Sequence, residues 1–434
     1  MPAALQLVGF WARPLAFLER CRERYGPRFT IRLPMTPPFV MVTDPDEVKA
    51  VFTAPPDVLR PGAGAQVLEP IVGRNSVLLL DEAAHMEQRK LMLPAFHGER
   101  MERLTGLMEE VTAEEVAAIP RGVPLALHPH TQDLTLKIIL RAVFGLDPGP
   151  RFDALRERLQ AMLEFGDQPI SLLPPKPDSL AARIAERVGP FAVFVRTQEE
   201  VDELIHALVA ERRGSEEDRD DVLAMLLEAT HEDGSPMSEE EIRDELMTLL
   251  VAGHETTATT LAWAFERLVR EPAVLARLVA AVEADDDAYL TATIQETLRD
   301  RPVLPNVAPR FVAKEITVGD WTYEPGCALV ANGYLIHHDP EIYPDPHAFR
   351  PERFLDEGPG TYTWIPFGGG RRRCLGASFA MLEMKVVIKA LLSSSELRAT
   401  DEGVEAAQRR NITVRPVRGA RVVLGERERV PVTG

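Results

Sequence analysis

Cysteine is nearly absent from this chain of 434 residues: there are three, Cys21, Cys327 and Cys374, in no CxxC spacing. An odd and scattered set excludes a disulfide framework and a zinc ribbon, and fits a reducing cytosol. Basic residues are also in short supply, 49 against 67 acidic, which leaves a formal net charge of -18. Nucleic acid is excluded as a partner, because phosphate binding needs a concentrated basic surface. No apolar run approaches the roughly 20 residues of a membrane span. The most apolar early stretch, LQLVGFWARPLAFLERC, is broken by Arg13 and Pro14, so neither a membrane anchor nor a secretion signal is expected. Internal repeats are missing, and so are a Rossmann fingerprint and any flavin or ferredoxin segment.

What the chain does have is 45% hydrophobic content, enough for a large core in two or three average domains or in one large fold. Residues 28–33 and 38–42 (RFTIRL, FVMV) read as a hairpin around PMTPP, the start of a small sheet. From about 81 to 300 the pattern is helical, interrupted by DQPISLLPPKPDSL and RRGSEEDRDD and preceded by RPGAGAQ. β patterns return from Val307 and near the end in NITVRPVRGARVVLGER, where Arg418-Gly419 reads as a hairpin turn. Ser238 and Glu241 form a capping box ahead of IRDELMTLLVAGHETTATTLAWAFERLVR, which Pro272 terminates. That helix would span about 45 Å. It is apolar nearly all round from Leu246 to Leu261, so it should cross the core.

Cys374 stands in FGGGRRRCLG, Phe367 to Gly376. The glycines permit close approach to a planar ligand. The following LGASFAMLEMKVVIKALL is an amphipathic helix, which would put the sulfur near a helix N-terminus, where amide donors favour a thiolate. In AGHETT, Gly253 and Thr256 share a helix face. Small residues at Ala252 and Gly253 let the helix pass close to a flat group, and the Thr256 hydroxyl can hold a water or oxygen. His254-Glu255 begins an HExxH zinc motif, but Ala258 replaces the second histidine, so that reading is discarded. In ETLR, Glu296 and Arg299 can pair at i and i+3.

The pattern F-x-x-G-x-R-x-C-x-G, met at Phe367, Gly370, Arg372, Cys374 and Gly376, is similar to the haem-ligand signature of the cytochrome P450 superfamily. The resemblance implies a single catalytic domain over 1–434, mainly α with a minor β-sheet region. Its β-rich parts are expected at about 28–60, 303–335 and 411–424, and its α-rich parts at about 81–300 and 375–394. The implied architecture is a triangular prism holding haem b between the long distal helix and the cysteine-loop helix.

By the same resemblance Cys374 is the axial iron ligand, Phe367 packs near the sulfur and Arg372 pairs with a haem propionate. Ala252 and Gly253 face the haem, and Glu255 and Thr256 are the acid-alcohol pair that delivers protons. Glu296, Arg299 and Arg353 of PERF form a structural triad, whose buried charges must stay paired. His85 and Arg89 of HMEQRK, with Arg310, are further propionate contacts.

The implied reaction is insertion of one atom of dioxygen into an organic substrate. A thiolate ligand favours O–O cleavage. Electrons are expected from a separate ferredoxin or flavodoxin-type donor, fed indirectly by NAD(P)H. It would dock near Arg371 and Arg373. A substrate pocket drawing on 64–77, 165–173, 303–307 and 411–413 would be mostly apolar, which favours a terpenoid, steroid, macrolide or fatty acid. A hydrogen-peroxide-dependent peroxygenase and a non-catalytic haem sensor are the alternatives. The protein is expected to be a cytoplasmic monomer.

Overall fold

In this computed structural model residues 2–34, 36–96, 99–168, 189–215, 219–356, 358–400 and 403–427 are described. Residues 169–173 of the expected pocket and 216–218 of the charged loop lie outside them.

The chain opens with α1 (Ala3–Ala12) and α2 (Pro14–Tyr25), two helices that the sequence patterns did not resolve. Pro14 separates them and begins the second, since its missing N–H costs nothing at a first helical position. The early hairpin forms as β1 (Phe29–Ile31) and β2 (Phe39–Val42), antiparallel with Thr30 opposite Val40. After α3 (Pro45–Thr53), capped by Asp44, comes the short strand β3 (Leu59–Arg60). The helical body then runs through α4 (Glu82–Met92), α5 (Glu99–Ala118), α6 (Leu127–Ala142), α7 (Pro150–Glu164), α8 (Pro190–Arg213) and α9 (Val222–Glu228). A strand, β4 (Pro124–Ala126), interrupts it before α6.

The long helix is α10, Glu239–Arg270, 32 residues. Its capping box is formed: Ser238 Oγ accepts from Glu241 N at 3.2 Å, and Glu241 Oε2 accepts from Ser238 N at 2.8 Å. Glu271, ahead of Pro272, leaves helical geometry, as a residue before proline tends to. Two more helices follow, α11 (Pro272–Glu283) and α12 (Asp287–Asp300).

Strands β5 (Asn306–Val312), β6 (Ile316–Val318), β7 (Trp321–Tyr323) and β8 (Ala328–Asn332) come next. The main sheet has the order β1-β2-β8-β5-β3, parallel only between β2 and β8. Beyond the cysteine loop lie α13 (Ala377–Ser394) and β9 (Ser395–Ala399), then β10 (Ala407–Arg410), β11 (Thr413–Pro416) and β12 (Arg421–Glu426). The protein is thus mainly helical with a minor sheet region. No helix among the described residues is long and apolar enough to cross a membrane.

The hairpin expected at Arg418-Gly419 is not one. β11 is already paired with β10 through a turn at Asn411, which sits at φ 50°. β12 instead lies between β4 and β9 in a separate three-stranded sheet. Gly419 and Ala420, both at positive φ, swing the chain from one sheet to the other.

Glu296 and Arg299, both fully buried, join through two hydrogen bonds of 2.7 and 2.9 Å. Arg299 also donates to the carbonyls of His337 and Pro346. Arg353 stands 3.5 Å from Glu296 and donates to the carbonyls of Pro344, Asp345 and Ala348. Three charges therefore tie α12 to the loops that precede the cysteine. Buried Asp300 is paired with Arg267 at 3.1 Å, Arg301 at 3.3 Å and His338 at 3.4 Å. Burial works to raise its pKa, but these partners outweigh it and hold the carboxyl low.

Candidate active site

The loop Phe367–Gly376 is closed by Cys374 N donating to Phe367 O at 2.9 Å. Two of its glycines also meet a need that the sequence did not show. A β-carbon on Gly369 would lie 2.4 Å from the Phe52 ring, and one on Gly370, at φ 64°, would lie 2.4 Å from the Phe52 carbonyl oxygen. The close approach is to α3, which lets the loop seat tightly in the protein. The Phe367 ring meets Trp364 edge-on at 5.9 Å, and Trp364 donates to Gln295 O next to the triad. A chain of contacts thus leads from Cys374 to Gln295, the sequence neighbour of Glu296.

Cys374 has accessible surface, yet protein surrounds it closely enough for burial to raise its thiol pKa. Both hold if the sulfur faces an internal cleft. The Gly376 amide, Arg89 and Arg373 work against that rise without cancelling it. The poised thiolate expected from the helix N-terminus is therefore only partly built by this chain; a metal cation would have to complete it.

α10 also has an accessible stretch. Its residues are buried from Ile242 to Leu250 and again from Thr257 to Leu268, but Ala252 is exposed and Gly253, Glu255 and Thr256 are half-buried. A β-carbon on Gly253 would press on Ile139 at 3.0 Å, so this glycine serves contact with α6. Thr256 Oγ1 donates to Ala252 O at 2.6 Å, which leaves its oxygen able to accept.

The structure does not join Glu255 to Thr256. Successive helical residues point about 100° apart. The Glu255 carboxylate instead accepts from Gln132 at 2.8 Å, Arg410 at 2.7 Å and Thr259 at 3.1 Å. Burial would raise its pKa, but Arg410, His128 and His254 hold it at about 2. Burial likewise keeps His128 and His254 neutral, each near 4. Sequence reasoning missed Arg410, Gln132 and His128. The one hint was the arginine pair ahead of the Asn411 turn.

Four groups expected at propionates do gather. Burial, then Arg372, Arg89 and Arg310, push His85 down to about 3. Burial and Arg372 lower Arg310 to about 10, and its Nη1 is buried with no hydrogen-bond partner. Arg372 is differently placed: it donates to Val77 O at 3.0 Å, to Leu80 O, and to Asp81 at 2.9 Å. Crowded cations with an orphaned donor call for an anion. The residues fit a haem: Cys374 would hold its iron, and Arg310 with His85 would receive its propionates. Among the described residues no group of three or more His, Cys, Asp or Glu could hold a free metal ion.

The arrangement defines a haem-thiolate protein, and comparison with known families places it. The cytochrome P450 family profile matches residues 3–422, and the chain belongs to this family. Cytochrome P450 135B1 of Mycobacterium bovis is 38% identical over 430 residues, 97% of this chain and 89% of that protein. Cytochrome P450 137 of Mycobacterium tuberculosis is 38% identical over 426 residues, 97% and 87% of the two chains. Among solved structures, the retinoic-acid-bound cyanobacterial CYP120A1 superposes with a TM-score of 0.81 at 22% identity, covering 95% of this chain and 94% of that one. The cytochrome P450DA heme domain gives 0.80 at 22% identity, with 95% and 93% covered. The fold is the P450 fold, and the chain has the haem-thiolate oxidoreductase character of that family.

Proposed function

We propose that the protein is a monooxygenase of lipophilic substrates that takes its electrons from a separate ferredoxin or flavodoxin-type donor. Haem, when bound, supplies dioxygen binding and its reductive cleavage, which a thiolate ligand favours. The chain's own residues do the rest. Cys374 holds the iron, with the Gly376 amide and the Arg89 and Arg373 charges moderating the sulfur. Arg310 and His85 line the propionate end. Thr256 Oγ1, hydrogen-bonded to the carbonyl of the exposed Ala252, would hold a water and pass a proton through it. Glu255, an anion at neutral pH, takes protons up and returns them.

The observation that favours the substrate class is the apolar packing at and beside the expected pocket segments. Gly64 packs on Pro309, so that a β-carbon there would lie 2.0 Å from its carbonyl oxygen. Val414 N donates to Val303 O at 2.8 Å, and Gly166 sits beside Asn411. Val77 and Val307 are each buried, in two separate apolar clusters, and Phe165 stacks on Phe194 at 4.7 Å. Apolar walls with few polar groups favour lipophilic ligands. Arg371 and Arg373 are both exposed on the cysteine side, where an acidic iron-sulfur donor would dock. The test is turnover of a panel of lipophilic compounds with a ferredoxin and its reductase. Hydroxylated product that depends on the ferredoxin supports the reading; product with hydrogen peroxide alone would replace it with a peroxygenase.

A further inference from the structure

The first helix is turned inside out relative to an ordinary surface helix. α1 contains no charged residue. Its buried positions are Gln6 and Phe10, while Leu5 and Val8 are 57% and 63% exposed. The seat is firmly built. Gln6 Oε1 accepts from Arg32 N at 2.9 Å. Phe10 lies under the buried Arg409 guanidinium at 3.8 Å, and its carbonyl accepts from Arg409 Nε at 3.0 Å. A β-carbon on Gly9 would lie 2.6 Å from the Phe17 ring. The outward face is therefore fixed as outward. Single exposed aliphatics are ordinary; two on one face of an uncharged helix whose polar side chain is turned inward leave that face wanting an apolar neighbour.

The charge beside it says which neighbour. Residues 2–34 hold six arginines against two glutamates, in a chain whose net charge is -18. Arg13 at the junction of α1 and α2 is exposed, as are Arg20 and Arg24 one turn apart on α2, where Glu23 is the sole exposed carboxylate. Tyr25, 53% exposed, ends α2 with Arg24 over its ring at 5.5 Å. Apolar side chains flanked by arginines and an amphipathic aromatic match the boundary of an anionic bilayer, where headgroup charge attracts the cations and acyl chains receive the aliphatics.

We infer that the α1–α2 surface docks this protein peripherally on anionic lipid, with Leu5 and Val8 entering the headgroup boundary and Arg13, Arg20 and Arg24 facing lipid phosphates. The contact is a surface one and requires no membrane span.

Co-sedimentation of the haem-loaded full chain with vesicles tests it, using phosphatidylcholine alone and an equal mixture with phosphatidylglycerol. The wild type should bind the anionic vesicles and leave the neutral ones, with binding that weakens as salt rises. Arg20→Glu/Arg24→Glu and Leu5→Glu/Val8→Glu should each weaken binding by at least about tenfold. Leu5→Ser/Val8→Ser serves as the milder pair if the glutamates impair folding, which thermal melting reports. No binding to anionic vesicles, or binding equal in all variants, overturns the inference. So does a salt-sensitive self-association, in the absence of lipid, that the same substitutions abolish, since a second copy would then be what covers this face.

Discussion

The Glu255 carboxylate accepts a 2.7 Å hydrogen bond from the Arg410 guanidinium, joining the middle of the long helix to the tip of the β10–β11 hairpin. Arg410 also donates to Leu163 O at the end of α7, so one side chain ties together three walls of the site. Burial raises the Glu255 pKa, and Arg410 is the strongest of the neighbours that hold it down to about 2. Arg410→Leu is expected to let Glu255 titrate at higher pH and to move the acid limb of product formation upward. Loss of one partner of a buried charge should also cost about 3 kcal/mol. A pH profile of turnover with a thermal melt reads both, and an unmoved acid limb would remove Glu255 from proton delivery.

Burial raises the Glu245 carboxyl to about 8, against the hydrogen bond it accepts from Val77 N at 2.7 Å. The folded protein therefore keeps a proton that the unfolded chain loses near its ordinary value. Stability from this group is fully present below about pH 4.5 and declines as pH rises toward 8, with a slope of at most about 1.4 kcal/mol per pH unit. Glu245→Gln, neutral at every pH, should lose that slope. Urea denaturation of both proteins between pH 5 and 8 checks it, and parallel profiles would contradict it.

Arg299 makes two hydrogen bonds to Glu296 and others to the His337 and Pro346 carbonyls. A lysine cannot reproduce that planar set of donors. Arg299→Lys should destabilise by about 3 kcal/mol or more and lower the yield of haem-loaded protein. Melting of the purified variant measures it, and a wild-type transition would mean that the triad does not anchor the cysteine-side loops.

Gly370 and Gly376 lie six residues apart in the cysteine loop region but have opposite tolerance. A β-carbon on Gly370 meets the Phe52 carbonyl at positive φ, whereas on Gly376 its nearest neighbour is Phe96 at 3.9 Å. Gly370→Ala should cost about 1–3 kcal/mol, and Gly376→Ala within about 0.5 kcal/mol. Equal melting temperatures would refute this reading of the loop.

Local chemistry was legible in the sequence wherever its partners are near in the chain. The capping box at Ser238 and Glu241, the Glu296-Arg299 pair and the early hairpin stand in the structure at the expected places. Partnerships across long separations were not. Arg410 follows Glu255 by 155 residues, Phe52 is remote from Gly370, and Asp300 needs Arg267 from another helix. Nor were the hydrogen bonds of Arg372 to the backbone carbonyls of the segment before α4 legible, because carbonyls carry no signature in a sequence. The β11–β12 turn misled because a glycine between two β-rich runs looks alike whether the strands pair with each other or enter different sheets.

The most direct test of the central claim, that Cys374 holds a haem iron, is the carbon monoxide difference spectrum of the dithionite-reduced protein beside its Cys374→Ala variant. A strongly red-shifted Soret band in the wild type, absent from the variant, is the predicted result. A haem-loaded wild type without that band, or a variant that retains it, would contradict thiolate ligation by Cys374.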